Sequence, residues 1–475
     1  MFDGKSEVFR RIFFIVILFT GIFFFTVSLP AEVSFPRLTS DDFYSSYTNR
    51  TEPLPADRIS EIALFVSGVE LKNISEYQNK IELILAEIND FVDFSQSTYH
   101  IGEEILEYLH SDYLTRYDEF QTRLDVLLDT GKYNCVSSAV LYFIILRNYQ
   151  IQVTGVATKD HVFCSVFDGK NKIDVETTNP YGFDPGRRKE FSDAFGKTGF
   201  SYVPPGNYSL RWEVEERKFL SYILQNRIAE LEKKKLYSDA VELSVDRYAL
   251  SGDADSFKEM FQEFVNYAGF LNENKEYSSG IAFIELAAQE YGLTPELLNV
   301  SEILINNKIV KLIRNRNFHD AYNFLLESKG RGILSDSRAK ELEELVTERY
   351  LYAVVNEETM EEALSVVDAY YINKKIDNAL YVEYIVFIFG KKAELLSQEG
   401  KWPEALILIE QGIERIGMEP RFQKAVETFS HNYFAELFNT KKYDRAKEII
   451  KEGLEQYPES RLLKRDMQAL EKAGF

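Results

Sequence analysis

Cysteine is nearly absent, with two in 475 residues. That is too few for a disulfide framework, so the fold must stand on its apolar cores. Histidine is scarce as well, with five copies. Basic charge is in deficit: 55 Lys and Arg against 76 Asp and Glu leave a formal net charge of −21. This balance excludes a nucleic-acid footprint, which needs clustered cations to neutralise phosphates. It favours solubility and cationic partners, and says nothing of fold. The hydrophobic share of 45% supplies material for substantial cores, and a chain of this length is expected to hold two or three domains.

At the N-terminus, Lys5, Arg10 and Arg11 precede an apolar run from Ile12 to Leu29. A run of that length just crosses a bilayer and exceeds most signal-peptide cores. Leu29-Pro30-Ala31 is a poor cleavage site, and no cysteine is near enough for lipidation. Residues 1–31 are therefore expected to be an uncleaved anchor, contacting the cytoplasmic membrane through residues 12–29, or else a signal peptide. Either reading places the remainder in the cell envelope, facing outward from the membrane or, after cleavage, in the periplasm. Residues 32–56, rich in Ser, Thr, Pro and Asp, read as a tether.

Residues 57–130 carry apolar side chains at helical spacing, as at Ile59, Ile62, Phe65 and Val66. From about residue 220 the pattern becomes wholly helical and repetitive. A large residue, two others and a small one recur as Tyr237/Ala240, Tyr277/Gly280, Phe318/Ala321, Met360/Ala363, Trp402/Ala405 and Tyr443/Ala446. The small positions are spaced by 40, 41, 42, 42 and 41 residues. A regular period of this kind without strand signals predicts a helical solenoid over 220–475, of about six helix pairs with Arg461–Ala473 closing it. The small residue lets two helices cross closely. The pattern resembles the tetratricopeptide repeat, with a longer period. A solenoid offers a concave surface for a protein or extended peptide.

Between these parts lies the chemistry. Gly131-Lys132-Tyr133-Asn134-Cys135 leads into the apolar stretch Val136–Leu146, a buried helix that Asn134 is placed to cap. Val153–Val156 and His161–Phe167 read as strands, and Asp168-Gly169 as a hairpin tip. With that tip, Phe163 pairs Asp174 and His161 pairs Glu176, so that His161, Asp174 and Glu176 share one face. A thiol heading a helix, a base and an orienting acid are what thiol-based acyl transfer requires. A helix N-terminus and an imidazolium both favour the thiolate, and the first helical amides are placed for an oxyanion.

These blocks, with Asp160-His161-Val162-Phe163 and Val175-Glu176-Thr177-Thr178-Asn179-Pro180, resemble the transglutaminase-like superfamily over roughly residues 95–210. The resemblance implies an α+β domain, placed here at 57–215, in which a cysteine-headed helix packs on an antiparallel sheet. It implies Cys135 as nucleophile and His161 as base. The family's acid lies in an Asp-Pro-Thr segment that aligns with Glu176-Thr177-Thr178, making Glu176 the acid and Asp174 the runner-up. No cofactor and no metal site is expected; Cys164, three positions after His161, falls on the opposite strand face as a core residue. Tyr202–Tyr208 reads as a linker to the repeats. The expected function is a cysteine-dependent amide hydrolase or acyl transferase acting on a protein or peptide recruited by the repeats. The alternative is an inactive transglutaminase-like fold serving, with the repeats, as a binding scaffold.

Overall fold

A computed structural model describes residues 35–45, 53–185 and 211–475. The expected anchor or signal segment 1–31 and the linker Tyr202–Tyr208 lie outside the described residues. Among the described residues, no helix is long and apolar enough to cross a membrane. The chain divides into two compact units, 1–292 and 293–475.

The first unit opens with α1 (Asp42–Ser45), α2 (Ala56–Ser67), α3 (Ile74–Phe91) and α4 (Thr98–Asp112). There follow β1 (Arg116–Tyr117), α5 (Leu124–Thr130), β2 (Lys132–Tyr133) and α6 (Cys135–Asn148). The sheet strands are β3 (Val153–Ala157), β4 (Val162–Asp168), β5 (Asn171–Val175) and β6 (Trp212–Val214). They form one antiparallel sheet of order β5-β4-β3-β6. Every residue of α6 from Val136 to Leu146 is buried, because the helix is packed on the sheet on one side and on α2, α4 and α5 on others. A helix buried all round has no solvent face to keep, which explains its continuous apolar run from Ala139 to Leu146. The expectation of a helical layer on a small antiparallel sheet thus holds for this part.

The β4–β5 register differs from the expected one. Asp168 pairs Asn171 and Ser165 pairs Asp174, so the two-residue tip is Gly169-Lys170 rather than Asp168-Gly169. Gly169 takes φ +60°, whereas Lys170 does not have a positive φ. A Gly-X turn needs its glycine first, and this sets the register. The pairing therefore shifts by two positions, and an even shift leaves each side chain on its expected face.

Part of the expected tether is packed. Arg37 makes a two-pronged ion pair with Asp246 at 2.9 Å, and Asp246 also accepts from Asp41 N–H. The Phe43 ring stacks on Phe65 with centroids 3.9 Å apart, and Tyr44 is buried.

The first unit continues with α7 (Glu216–Lys233), α8 (Tyr237–Ser251), α9 (Ala254–Glu273) and α10 (Tyr277–Tyr291). Two helix pairs of the repeat region thus belong to the same compact unit as the sheet, although composition changes at 215–220. The reason is packing: Phe219 of α7 is fully buried in the core shared with α6. A Cβ on Gly155 would lie 2.3 Å from the Phe219 ring, so the glycine lets that ring lie on β3.

The second unit contains α11 (Pro295–Arg314), α12 (Phe318–Gly330), α13 (Asp336–Glu357), α14 (Met360–Ile372), α15 (Asn378–Gln398), α16 (Trp402–Ile416), α17 (Pro420–Asn439), α18 (Tyr443–Gln456) and α19 (Arg461–Lys472). Each helix packs on its sequence neighbours, and α11, α13, α15 and α17 also pack on one another in succession. The six large residues of the repeat each begin a helix, and the six small residues are buried. In five of the six turns, the residue two positions before has a positive φ: Lys235, Lys275, Arg316, Gly400 and Lys441. The next amide reaches back to a leucine carbonyl, as from Leu236 to Leu231 and from Lys442 to Leu437, both at 2.9 Å. This is a repeated left-handed helix stop. The sixth turn instead uses Thr359 in a capping box with Glu362.

Candidate active site

Cys135 is the first residue of α6 and is partly exposed. Asn134 fixes the helix start: its Oδ1 accepts from the amides of Val136 and Ser137 at 3.0 Å each, while Ser137 Oγ accepts from Asn134 N–H at 2.9 Å. The capping role expected of Asn134 is therefore present. One consequence is a correction: those two amides are occupied, so the helix start does not offer them to an oxyanion. The cap does not engage the amide of Cys135 itself. The short parallel pairing of β1 with β2 and the left-handed Gly131 (φ +68°) set the approach to this cap. A Cβ on Gly131 would lie 2.3 Å from Thr115 Oγ1.

His161 follows the turn Thr158–His161, closed by Thr158 N–H donating to the His161 carbonyl at 2.8 Å. Its Nε2 lies 2.6 Å from Glu176 Oε2, with the side chains 9% and 0% exposed. Cys135 is near enough to the imidazole to favour its charged form. Since Glu176 holds Nε2, Nδ1 is the nitrogen left to serve the thiol. Burial alone lowers the His161 pKa, but the Glu176 charge, the nearby Cys135 and the bond to Glu176 outweigh it and hold the ring well above its ordinary value. Burial likewise raises Glu176, and His161 with Thr178 overcomes this and lowers it. Both directions describe an imidazolium–carboxylate pair.

Glu176 is held from behind. Its Oε1 accepts from Thr178 Oγ1 at 2.6 Å and from Thr178 N–H at 3.1 Å. The neighbouring Thr177 ties this loop to α6 through Ser138 Oγ at 2.9 Å. Asp174, the runner-up acid, is engaged elsewhere. Arg211 grips it with two nitrogens, at 2.8 and 2.6 Å, and Ser165 Oγ donates at 2.8 Å. The structure therefore brings Cys135, His161 and Glu176 together and commits Asp174 to Arg211.

Sequence reasoning did not place several neighbours. His110 Nε2–H donates to the Thr177 carbonyl at 3.1 Å, and burial lowers its pKa to about 4, so it stands neutral behind the acid loop. His100 instead bonds Ser97 at the start of α4. The Tyr117 and Tyr133 rings meet edge to face, 5.7 Å apart. Burial and then the nearby Cys135 hold the Tyr117 phenol well above its ordinary pKa. Trp212 is brought in by the pairing of β6 with β3, a long-range contact with no local signal. Cys164 is fully buried, its thiol 3.4 Å from the Ala139 carbonyl. Among the described residues no group of three or more His, Cys, Asp or Glu is arranged to hold a metal ion.

An open cleft of about 610 Å³ begins at Cys135 and His161. It runs past Trp212 to residues of α7, α8 and α9, among them Tyr222, Arg247 and Lys258.

No family model matches the chain. No curated protein matches it either. Among solved structures, the chain is similar to the TPR2AB domain of yeast Sti1 in its pHSP90 complex. The identity is 16%, the TM-score 0.23, and the match covers 53% of this chain and 96% of the other. The helical-repeat character of residues 216–475 rests on the helix pairs of the chain itself.

Proposed function

We propose that this chain is a transglutaminase-like, cysteine-dependent amide hydrolase or acyl transferase of the cell envelope, acting on a protein or peptide engaged by its repeats. The observation that supports it best is the 2.6 Å bond between His161 and Glu176 in a cleft that Cys135, at the head of α6, lines together with His161. Cys135 Sγ attacks the carbonyl carbon of the amide, and a thioester forms as the C–N bond breaks. His161 gives its proton to the departing nitrogen. Water or an amine then attacks the thioester, with His161 taking the proton back and Cys135 leaving as thiolate. Water as acceptor gives hydrolysis and an amine gives cross-linking. The envelope location rests on the apolar run 12–29.

The second reading is a protein-binding scaffold in which the Cys135 fold does no chemistry. It is favoured by the helix pairs present in both units, which are built for binding extended partners. The deciding experiment is iodoacetamide alkylation of Cys135 across pH 5–9, with product mapped by mass spectrometry. Alkylation near pH 6.5 that slows by about tenfold or more in His161→Ala supports a thiolate held by imidazolium. An inert thiol, or one indifferent to His161, supports the scaffold. Any turnover that survives Cys135→Ala refutes the thioester route.

A further inference from the structure

The walls of the cleft carry charge in a pattern unlike the chain as a whole. The protein has a formal net charge of −21, yet the cleft beside Cys135 presents four cations, Lys159, Lys218, Arg247 and Lys258, against three carboxylates. Two of those carboxylates are on the solvent side: Asp255 and Glu259 have side chains 77% and 47% exposed, where water screens them. Lys218 is shared between Asp253 and Asp255 at 3.0 Å each.

Arg247 is the unusual member. It is 3% exposed although it lines the cleft. Its terminal nitrogens reach Gln225, at 3.2 Å, and Glu259. Its Nε is buried with no hydrogen-bond partner among the described residues. A guanidinium donor stripped of water and given no acceptor is costly, and an anion in the adjoining cleft would offset that cost through the charge of the group. Lys258, exposed one turn from α9's start, makes no ion pair among the described residues.

We infer that the cleft selects an acyl donor carrying a carboxylate close to the scissile carbonyl, read by Arg247 and Lys258 on the helices facing Cys135. This rests on the reading of Cys135 as a nucleophile, and it gives the first helix pairs a role in choosing the substrate at the site of reaction. Lys258, outside the ion pairs that hold Lys218 and Arg247, gives an anionic ligand a local attraction that a neutral amide lacks.

The test uses two reagents of equal shape, the amides of N-iodoacetyl-glutamate and N-iodoacetyl-glutamine, on the full chain at low ionic strength. Rates are normalised to those of a small thiol, the product is mapped to Cys135, and folding is checked by circular dichroism. The acidic reagent is expected to react at least about threefold faster, with the preference shrinking in 0.2 M salt. Lys258→Glu, which leaves His161 in place, is expected to bring the ratio to one or below. A ratio of one or less in the wild type overturns the inference, as does a preference that survives Lys258→Glu. If Cys135 is inert to both reagents, the nucleophile reading fails and this inference falls with it, whereas reactivity without preference overturns the inference alone.

Discussion

Gly182 and Glu176 touch through their backbones. A Cβ on Gly182 would lie 1.9 Å from the Glu176 carbonyl oxygen, and the Gly182 carbonyl accepts from Glu176 N–H at 2.8 Å. The loop carrying the acid closes on itself at the one residue type that permits it.

Gly182→Ala should therefore displace Glu176 from His161 without emptying the core. The clash is with backbone and cannot be relieved by a rotamer change. A shift of about 1 Å at a reacting centre is worth up to about 10²-fold in rate. Cys135 alkylation at pH 6.5 should fall toward that of His161→Ala while circular dichroism stays native. A folded variant that reacts like the wild type would contradict this placement of the acid.

Glu176→Gln keeps the size of the side chain and removes its charge. The His161 pKa, now raised, should fall toward its ordinary value, as read by the NMR titration of the ring. The linkage has two limbs. Raised His161 contributes stability below its unfolded pKa of about 6.5, lost as pH rises through the folded value. Lowered Glu176 contributes stability above its unfolded pKa, lost as pH falls through the folded one. The wild type should thus exceed Glu176→Gln most between pH 5 and 6.5, by thermal melting. A constant difference across pH would rule out the ion pair.

The candidate site was legible in the sequence wherever its signal was local. Asn134 before an apolar run announces a cap, and the even parity of the strands placed His161 and Glu176 on one face despite the shifted turn. What decided between Glu176 and Asp174 was not local: Arg211 arrives 37 residues after Asp174, and no spacing rule connects them. The repeats were legible through their small residues, which must be buried for helices to cross. The left-handed stops were not, because four of the five are Lys or Arg, residues that propensity does not place there. The packing of α7 and α8 into the first core escaped because Phe219 on Gly155 pairs residues from different elements.

Those stops make a stability prediction. A non-glycine residue at positive φ is strained, by about 1 kcal/mol, part of which glycine returns as chain entropy in the unfolded state. Lys441→Gly, at φ 62°, should leave stability unchanged or raise it by up to about 1 kcal/mol. Gly400→Ala, at φ 74° with nothing near its missing Cβ, should lose about 1 kcal/mol from backbone strain alone. Urea denaturation of both variants reads the two signs, and a large loss in Lys441→Gly would assign that side chain a packing role instead.

The contact between α7 and α9 contains a second acid pair, apart from the chemistry. Asn266 Nδ2 donates to Glu232 Oε1 at 2.8 Å and to Glu263 Oε1 at 3.4 Å. Glu263 is 6% exposed. Burial, then the charge of Glu232, pushes its pKa from 4.5 up to about 7. A carboxyl raised by folding contributes stability that is complete below its unfolded pKa and lost as pH rises through the folded one. Stability should therefore decline between pH 4.5 and 7 on account of this group. Glu263→Gln keeps an oxygen to accept from Asn266 and removes the charge. Its melting temperature should match the wild type near pH 4 and exceed it at pH 8, with the gap opening between those limits. A gap of equal size at both ends would mean that the substitution acts through packing and not through the proton.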